Sequence, residues 1–443
     1  MRAAVYACML AFVFLVLVRP QDYPSLADAL ALPLLPACLL AGAMFWLLSA
    51  GKEFDQPQYP LVLMFLAALM LSWVANGWGG GVRMVLERFG PVVLAFLLMA
   101  QALNTRGRLV GMMAMFVLCG GLLALHGIDQ VRTGVGWTGT GLSQGTRIQY
   151  VGIFNDPNDL GMLFIVCLPM AMYLRGREGA SALGRLLWLG IAAMLVYGIY
   201  LTNSRGTLLA LLALFGVHVW HRRGLVTAAV LGAGCLAVLM MIPSRLQEME
   251  VSEASAMGRV DAWYHGIQMF LAHPVLGIGP GAYSDNFALT AHNSFILVLA
   301  EAGIIGFTIW LAFVGYTGRM LLEALRSGGC PAQGGDQDGE SGGDAGFDEA
   351  LAEAERTDDL AIAKALALSF CGLLVTAFFL SRSYVILPYL LIALVTAHYA
   401  GMRTRYPDMT RYQLHNDVLR WPLWSLLAVF GLYLAVKTLL AIA

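Results

Sequence analysis

Apolar stretches long enough to cross a membrane recur along the whole chain, and they limit what it can fold into. A helix needs about 17–25 mostly apolar residues to span the hydrocarbon core of a bilayer. The candidate stretches are 3–18, 27–49, 59–76, 90–104, 109–126, 157–174, 184–201, 205–220, 224–243, 293–323, 362–380, 383–400 and 422–441. They predict an all-α polytopic membrane protein with about 12–13 transmembrane helices.

Composition points to the same class. Of the 443 residues, 59% are hydrophobic and 12% are charged, which is too little charge to cover a soluble protein of this length. The net charge is −1, and no basic tail or aromatic–basic strip is present, so nucleic acid is not an expected partner. The seven cysteines have neither the spacing of a disulfide framework nor that of a zinc site.

The pattern divides the chain into seven segments. These are transmembrane helices over 1–126, an outer loop over 127–156, transmembrane helices over 157–243, an outer loop with an amphipathic helix over 244–292, a transmembrane helix over 293–323, an acidic and glycine-rich inner linker over 324–360, and C-terminal transmembrane helices over 361–443. The linker has few apolar residues in its first half, so we expect it to be disordered until a short helix at its end.

The distribution of lysine and arginine predicts the orientation in the membrane. Basic residues are more frequent in the loops on the side of the N-terminus, which places that side in the cytoplasm. We expect the first apolar run to be a retained span, because no small-residue cleavage site follows it before Arg19. The C-terminus is then expected outside.

The second outer loop contains a predicted amphipathic helix. Val260, Trp263, Ile267 and Phe270 form its apolar stripe, and Pro274 ends it before a glycine-rich loop. We expect this helix to lie at the membrane surface over a cavity.

Three arginines lie at the outer ends of the predicted spans. Arg205 occupies a very short turn in "LTNSRGTLLALLALF", Arg382 a similar turn in "FFLSRSYVILP", and Arg259 the amphipathic outer helix. Converging beside helix N-termini, they would form a site for a phosphate or pyrophosphate. The alternative is that they reach towards lipid headgroups.

A histidine lies at the outer mouth of the apolar run "NSFILVLAEAGIIGF". His292 is either structural or a general base near neutral pH. Glu301 would face the opposite side of a continuous helix, so a His–Glu dyad is not expected. We expect Glu301 to bond a neighbouring helix, and Gly303 and Gly306 to let that helix approach closely.

The motif "GIFNDPNDLGMLF" places polar residues around the first turn of another span. Asp156 is expected to cap the helix, while Asn158 or Asp159 could face the cavity and bind sugar hydroxyls. The chain has no GKS/T phosphate loop, HExxH or CxxC, so we predict no metal site and no cofactor.

These motifs resemble a known family. "GRVDAWYHGIQMFLAHPVLGIGPGAYSDNF" followed by "HNSFILVLAEAGIIGF" resembles the signature region of the O-antigen ligase and O-antigen polymerase superfamily of bacterial envelope proteins. "LTNSRGTLLAL" and "GIFNDPNDLGMLF" resemble its upstream motifs, so the specific match covers about 150–310.

The resemblance implies a GT-C-like helical glycosyltransferase of the bacterial inner membrane, with a periplasmic active site and no metal or nucleotide sugar. It would transfer an oligosaccharide from undecaprenyl pyrophosphate to an acceptor hydroxyl. By similarity, Arg205 and Arg259 would hold the pyrophosphate and His292 would serve the acceptor; Arg382 is added from topology. The implied partners are the lipid-linked oligosaccharide, an acceptor glycan or lipid A–core, membrane lipids and a chain-length regulator.

Three reactions or roles remain open. Polymerisation of O-antigen or exopolysaccharide repeat units is expected, because the outer loop before His292 is modest and no extra C-terminal domain follows. A ligase that passes the glycan to lipid A–core or protein is the alternative. A polysaccharide flippase is more distant, since it would need repeated halves and midplane charges that the sequence does not show.

Overall fold

The computed structural model describes residues 1–24, 33–240, 249–329 and 344–442, and within these ranges the chain is almost entirely helical. The helices are α1 (Arg2–Leu17), α2 (Leu34–Leu47), α3 (Gln58–Ala75), α4 (Gly80–Arg88), α5 (Gly90–Ala102), α6 (Arg106–Thr133), α7 (Pro157–Gly176), α8 (Ala182–Leu201), α9 (Arg205–Arg223), α10 (Leu225–Met240), α11 (Met249–Ala272), α12 (Tyr283–Asn286), α13 (Ser294–Gly329), α14 (Asp344–Phe378), α15 (Ile386–Arg405) and α16 (Arg420–Ile442).

Every predicted span overlaps a helix in the described residues, which confirms the all-α, multi-pass membrane class; residues 27–32 and 241–243 of the predicted spans lie outside the described ranges. Within the described ranges, nine helices are long and apolar enough to cross a membrane, against the predicted 12–13. The other four predicted spans correspond to α2, α5, α9 and α10, which fall short of that length or composition.

The functional segments gather at one end of the bundle, called here the site end. Ile148 N of the first outer loop donates to Leu201 O at the end of α8 (3.2 Å). Ser294 Oγ, at the start of α13, donates to Leu380 O after α14 (2.6 Å). The loop before α7, the α8–α9 turn, the start of α13 and the α14–α15 turn therefore all lie at this end.

The first outer loop begins later than predicted, because α6 continues to Thr133 rather than stopping at residue 126. The loop is folded onto the bundle. Tyr150 is fully buried and its hydroxyl donates to Val18 O, just after α1. Gln149 N donates to Gln130 Oε1 of α6 (3.1 Å). These bonds fix the approach of the chain to α7.

The predicted inner linker 324–360 is shorter in the structure, because α13 continues to Gly329 and α14 already begins at Asp344. Residues 330–343 lie outside the described ranges. Asp359 is fully buried and accepts bonds from Arg106 Nη2 (2.9 Å) and Arg405 Nη2 (2.7 Å). Two guanidinium groups compensate the buried carboxylate, so the end of the segment is anchored in the bundle.

The signature helix α13 is broken near its start. Gly303 has φ 62° and ψ −167°, and the loop that follows α11 enters the break. There, Ile304 N donates to Pro274 O at 2.9 Å. A Cβ on Gly303 would lie 2.5 Å from Val275 O, so this position needs glycine for both its backbone conformation and its space.

This break changes the role of Glu301. Its side chain was expected to bond a neighbouring helix within the bundle, and the helix that it bonds is the short loop helix α12, where Oε1 accepts from Tyr283 N (3.1 Å). The backbone carbonyl of Glu301 accepts from Ser72 Oγ of the membrane helix α3 (2.8 Å). Gly306 does face α3, where an added Cβ would lie 3.9 Å from Ala68 Cβ.

The predicted amphipathic helix is α11, and it ends two residues before Pro274. Trp263 and Ile267 of its apolar stripe are buried, in a cluster that includes Ile296 of α13 and Val436 of α16. The stripe therefore holds α11 against the start of α13 at the site end.

Candidate active site

Three of the helices that begin at the site end have a side-chain cap. Asp156, Ser204 and Asn293 cap α7, α9 and α13 by accepting backbone N–H bonds at 2.8, 3.3 and 2.9 Å. Helix N-termini carry partial positive charge, so this end of the bundle favours anionic groups.

Two of the predicted arginines interact electrostatically at this end. Arg205 is exposed at the first position of α9, and Arg259 is half-buried on α11. Burial and the positive charge of Arg205 lower the pKa of Arg259, while Asp156 opposes this shift. Two like charges that raise each other's energy favour the binding of an anion, because the anion relieves their repulsion.

Arg382 lies at the same end, but an aspartate engages its guanidinium. Nη2 donates to Asp159 Oδ2 (2.7 Å) and Nε to Oδ1, while Asp156 Oδ2 lies 3.8 Å from Nη2. The Asp159 side chain is 4% exposed, so this is a nearly buried ion pair. Arg382 N also donates to Ser294 Oγ (3.0 Å), which ties the α14–α15 turn to the start of α13.

Asn158 is held by two neighbours. Its Nδ2 donates to Asp156 Oδ1 (2.8 Å), and its Oδ1 accepts from Arg147 Nη2 (3.0 Å). Asn158 and Arg259 line one small cleft, together with Thr207 of α9. The amide thus lies beside the arginines, although its orientation is fixed by protein partners.

His292 adopts a left-handed backbone conformation (φ 46°), which is uncommon for any residue other than glycine. Its imidazole is half-buried. Burial and the positive charges of Arg259 and Arg382 lower the pKa of His292, while Asp156 opposes the shift. The imidazole is therefore neutral at neutral pH and can accept a proton.

The predicted residues His292, Arg205, Arg259, Arg382 and Asn158 all lie at the site end, and three further charged residues join them. We call the whole set the site-end cluster. Its members are Arg147, Asp156, Asn158, Asp159, Arg205, Arg259, His292 and Arg382.

The ion pair between Asp159 and Arg382 was not predicted from the sequence. The two residues are 223 positions apart, and no spacing rule links them. The only signal in the sequence was the second aspartate of "NDPND". Helix capping explains Asp156 but gives no role to Asp159.

The cluster combines positive charge with a neutral base. It can bind an anionic group through guanidinium forks and can accept a proton from a nearby hydroxyl. In the described part of the chain, no three His, Cys, Asp or Glu side chains group in a way that could hold a metal ion.

Comparison with known proteins agrees with the resemblance found in the sequence motifs. Curated proteins give no match to the chain. Residues 189–311 match the family model described as O-antigen ligase, a range that includes Arg205, Arg259 and His292 but not Asn158 or Arg382. The chain is therefore a multi-pass membrane protein whose residues 189–311 are similar to the O-antigen ligase family.

Proposed function

We propose that this protein is an inverting glycosyltransferase of the bacterial inner membrane that acts at its periplasmic face. It moves an oligosaccharide from undecaprenyl pyrophosphate to an acceptor sugar hydroxyl and so polymerises O-antigen or exopolysaccharide repeat units. One observation supports this most strongly. Arg205 acts electrostatically on Arg259, and Arg259 acts on His292, so an anion site and a neutral base share one end of the bundle.

The proposed reaction is a single displacement. The acceptor oxygen attacks the anomeric carbon as the bond from that carbon to the pyrophosphate oxygen breaks, and the configuration inverts. His292 takes the proton of the acceptor hydroxyl. Arg205 and Arg259 stabilise the negative charge that grows on the departing polyprenyl pyrophosphate.

The other predicted site residues take smaller parts. Arg382 borders the site, but its charge is balanced by Asp159, so we assign it mainly to positioning the α14–α15 turn. Asn158 is held by Arg147 and Asp156, and we assign it to the wall of the glycan site.

A ligase is the second candidate, because the matching family model is described as O-antigen ligase. In that case the same groups would pass the glycan to lipid A–core. The two reactions share the donor chemistry and differ only in the acceptor, so an assay with defined acceptors distinguishes them.

The test is transfer by purified protein in lipid nanodiscs. Undecaprenyl pyrophosphate-linked repeat units are supplied alone, and then with lipid A–core. A ladder of longer glycans in the first reaction supports polymerase, and product only in the second supports ligase. Absence of transfer in both would contradict the proposal.

The residue test compares His292→Ala with His273→Ala. His273 is exposed in the loop after α11, and the cluster does not include it. We expect His292→Ala to lower the rate by about 10²–10⁴-fold, the usual range for a lost general base. We expect His273→Ala to retain the wild-type rate. Equal rates for His292→Ala and wild type would remove His292 from the mechanism.

A further inference from the structure

A second cavity lies at the opposite end of the bundle, between α7, α9 and α14. Its volume is about 850 Å³. The Lys/Arg pattern predicts that this end faces the cytoplasm. The apolar part of the cavity wall includes Met172 of α7 and Phe215 of α9, whose side chains are 45% and 44% exposed. We call this cavity the inner cleft.

Close packing separates the inner cleft from the site end. A Cβ on Gly161 of α7 would lie 2.4 Å from Thr207 Oγ1 of α9. Towards the middle of the bundle, a Cβ on Gly372 of α14 would lie 2.3 Å from Ile165 Cγ2 and 3.6 Å from Leu214 Cδ1. The three helices thus meet closely in their outer halves and diverge towards the opposite end, where Leu211 and Leu214 already line the cleft. A molecule in the inner cleft therefore enters from the opposite leaflet and not through the candidate active site.

A lysine within a membrane-spanning helix lines the inner cleft. Lys364 lies on α14, six residues and so about 9 Å beyond Asp358 towards the middle of the membrane. Within the described ranges, Lys364 makes no hydrogen bond, ion pair or cation–π contact. An ammonium at membrane depth is costly, and such groups usually face a partner in a cavity.

The charges around Lys364 are both positive and negative. Three cationic side chains line the cleft, those of Lys364, Arg106 and Arg177. Three carboxylates also line it, those of Glu178, Glu355 and Asp358, so the two signs are equal in number. Arg106 is already engaged by Asp359, and Asp358 accepts from Tyr173 Oη (2.7 Å). Glu355 Oε2 lies 3.6 Å from Arg106 Nη2, but its side chain is 48% exposed and can also reach a ligand, as can Lys364 and Arg177.

We propose that the inner cleft binds one zwitterionic, amine-bearing phospholipid from this leaflet. Its phosphate contacts Lys364 and Arg177, its ammonium contacts Glu355, and an acyl chain lies along the apolar wall beside Met172 and Phe215. The balanced lining favours a zwitterion over an anionic lipid, because a lipid with net negative charge would leave the carboxylates unmatched.

The test is native mass spectrometry of the full-length protein with phosphatidylethanolamine or phosphatidylglycerol, and a competition with undecaprenyl pyrophosphate. We expect one retained phosphatidylethanolamine and about tenfold weaker binding for Lys364→Gln, as for the loss of one charged hydrogen bond. Lys52→Gln is the matched control, since Lys52 lies outside the cleft and donates only to backbone carbonyls.

A second variant tests the cavity independently of charge. Ala361→Phe places a ring on the cleft wall one turn from Lys364, and it should abolish retention of the lipid while thermal unfolding confirms a folded protein. Three results would overturn the proposal: Lys364→Gln binding as tightly as wild type, preference for phosphatidylglycerol, or displacement of the phospholipid by undecaprenyl pyrophosphate.

Discussion

Two groups of charged side chains lie at opposite ends of the same bundle and differ in their balance of charge. The far-end cluster consists of Arg106, Glu355, Asp358, Asp359 and Arg405. It holds three carboxylates and two arginines around a fully buried aspartate. The site-end cluster holds four arginines and two aspartates beside three helix N-termini.

The difference in charge balance indicates that the far-end cluster mainly holds helices together, whereas the site-end cluster can bind an anionic ligand. At the far end, Asp359 bonds two arginines from two helices, so the cluster fixes α6, α14 and α15 to one another. At the site end, Asp159 balances Arg382, and Arg205 still raises the positive potential at Arg259. An excess of positive charge beside a low-dielectric protein wall raises the local concentration of negatively charged ligands.

The largest expected effect comes from removing the centre of the far-end cluster. Asp359→Ala leaves Arg106 and Arg405 without their buried partner, and should destabilise the protein by about 3–5 kcal/mol. Denaturation followed by circular dichroism in detergent measures the loss. Asp358→Asn is the control and should cost much less, because Asp358 is partly exposed and Asn can still accept from Tyr173. Equal losses would mean that Asp359 is not the anchor.

A smaller loss is expected at the site end. Asp159→Asn keeps the shape of the side chain but removes its charge from the bond with Arg382, which should cost about 1–3 kcal/mol of stability. The same unfolding measurement applies. If Asp159→Asn destabilised the protein more than Asp359→Ala, the contrast between the two ends would be lost.

The smallest effects are shifts in pH dependence. Transfer requires neutral His292, so the rate should fall as pH drops through the pKa of His292, which lies below the ordinary value of 6.5. Arg259→Gln removes a positive charge that lowers this pKa, so the acid limb of its residual activity should move to higher pH.

Asp156→Asn provides the opposite change at the same site. It removes a negative charge that raises the pKa of His292, so its acid limb should move to lower pH than in wild type. Rate profiles of the three proteins measure both shifts. Shifts in the same direction, or none, would show that the titrating group is not His292.

Much of this architecture follows from the sequence, because bilayer thickness determines the length of an apolar helix. The positions of Arg205, Arg382 and His292 next to such helices were enough to predict that they share one end. The carboxylate partners were not predictable, since the Asp159–Arg382 pair depends on how α7 packs against the α14–α15 turn.

The break in α13 was missed for a similar reason. Glycine at 303 is compatible with a continuous membrane helix, and the break appears only when the loop after α11 donates and accepts backbone bonds there. Glu301 therefore bonds the loop helix through Tyr283 N, a contact that helix periodicity cannot indicate.

The most direct test of the central claim is binding of undecaprenyl pyrophosphate, without glycan, to wild type, Arg205→Gln and Arg83→Gln. Arg83 is an arginine of α4 whose 86%-exposed side chain pairs with Glu87, so its variant matches the change in net charge away from the cluster. The dissociation constant should rise about 10–100-fold for Arg205→Gln, as expected for a lost charged hydrogen bond, and stay near wild type for Arg83→Gln. Equal constants for all three proteins would contradict a pyrophosphate site built on the arginines of the site-end cluster.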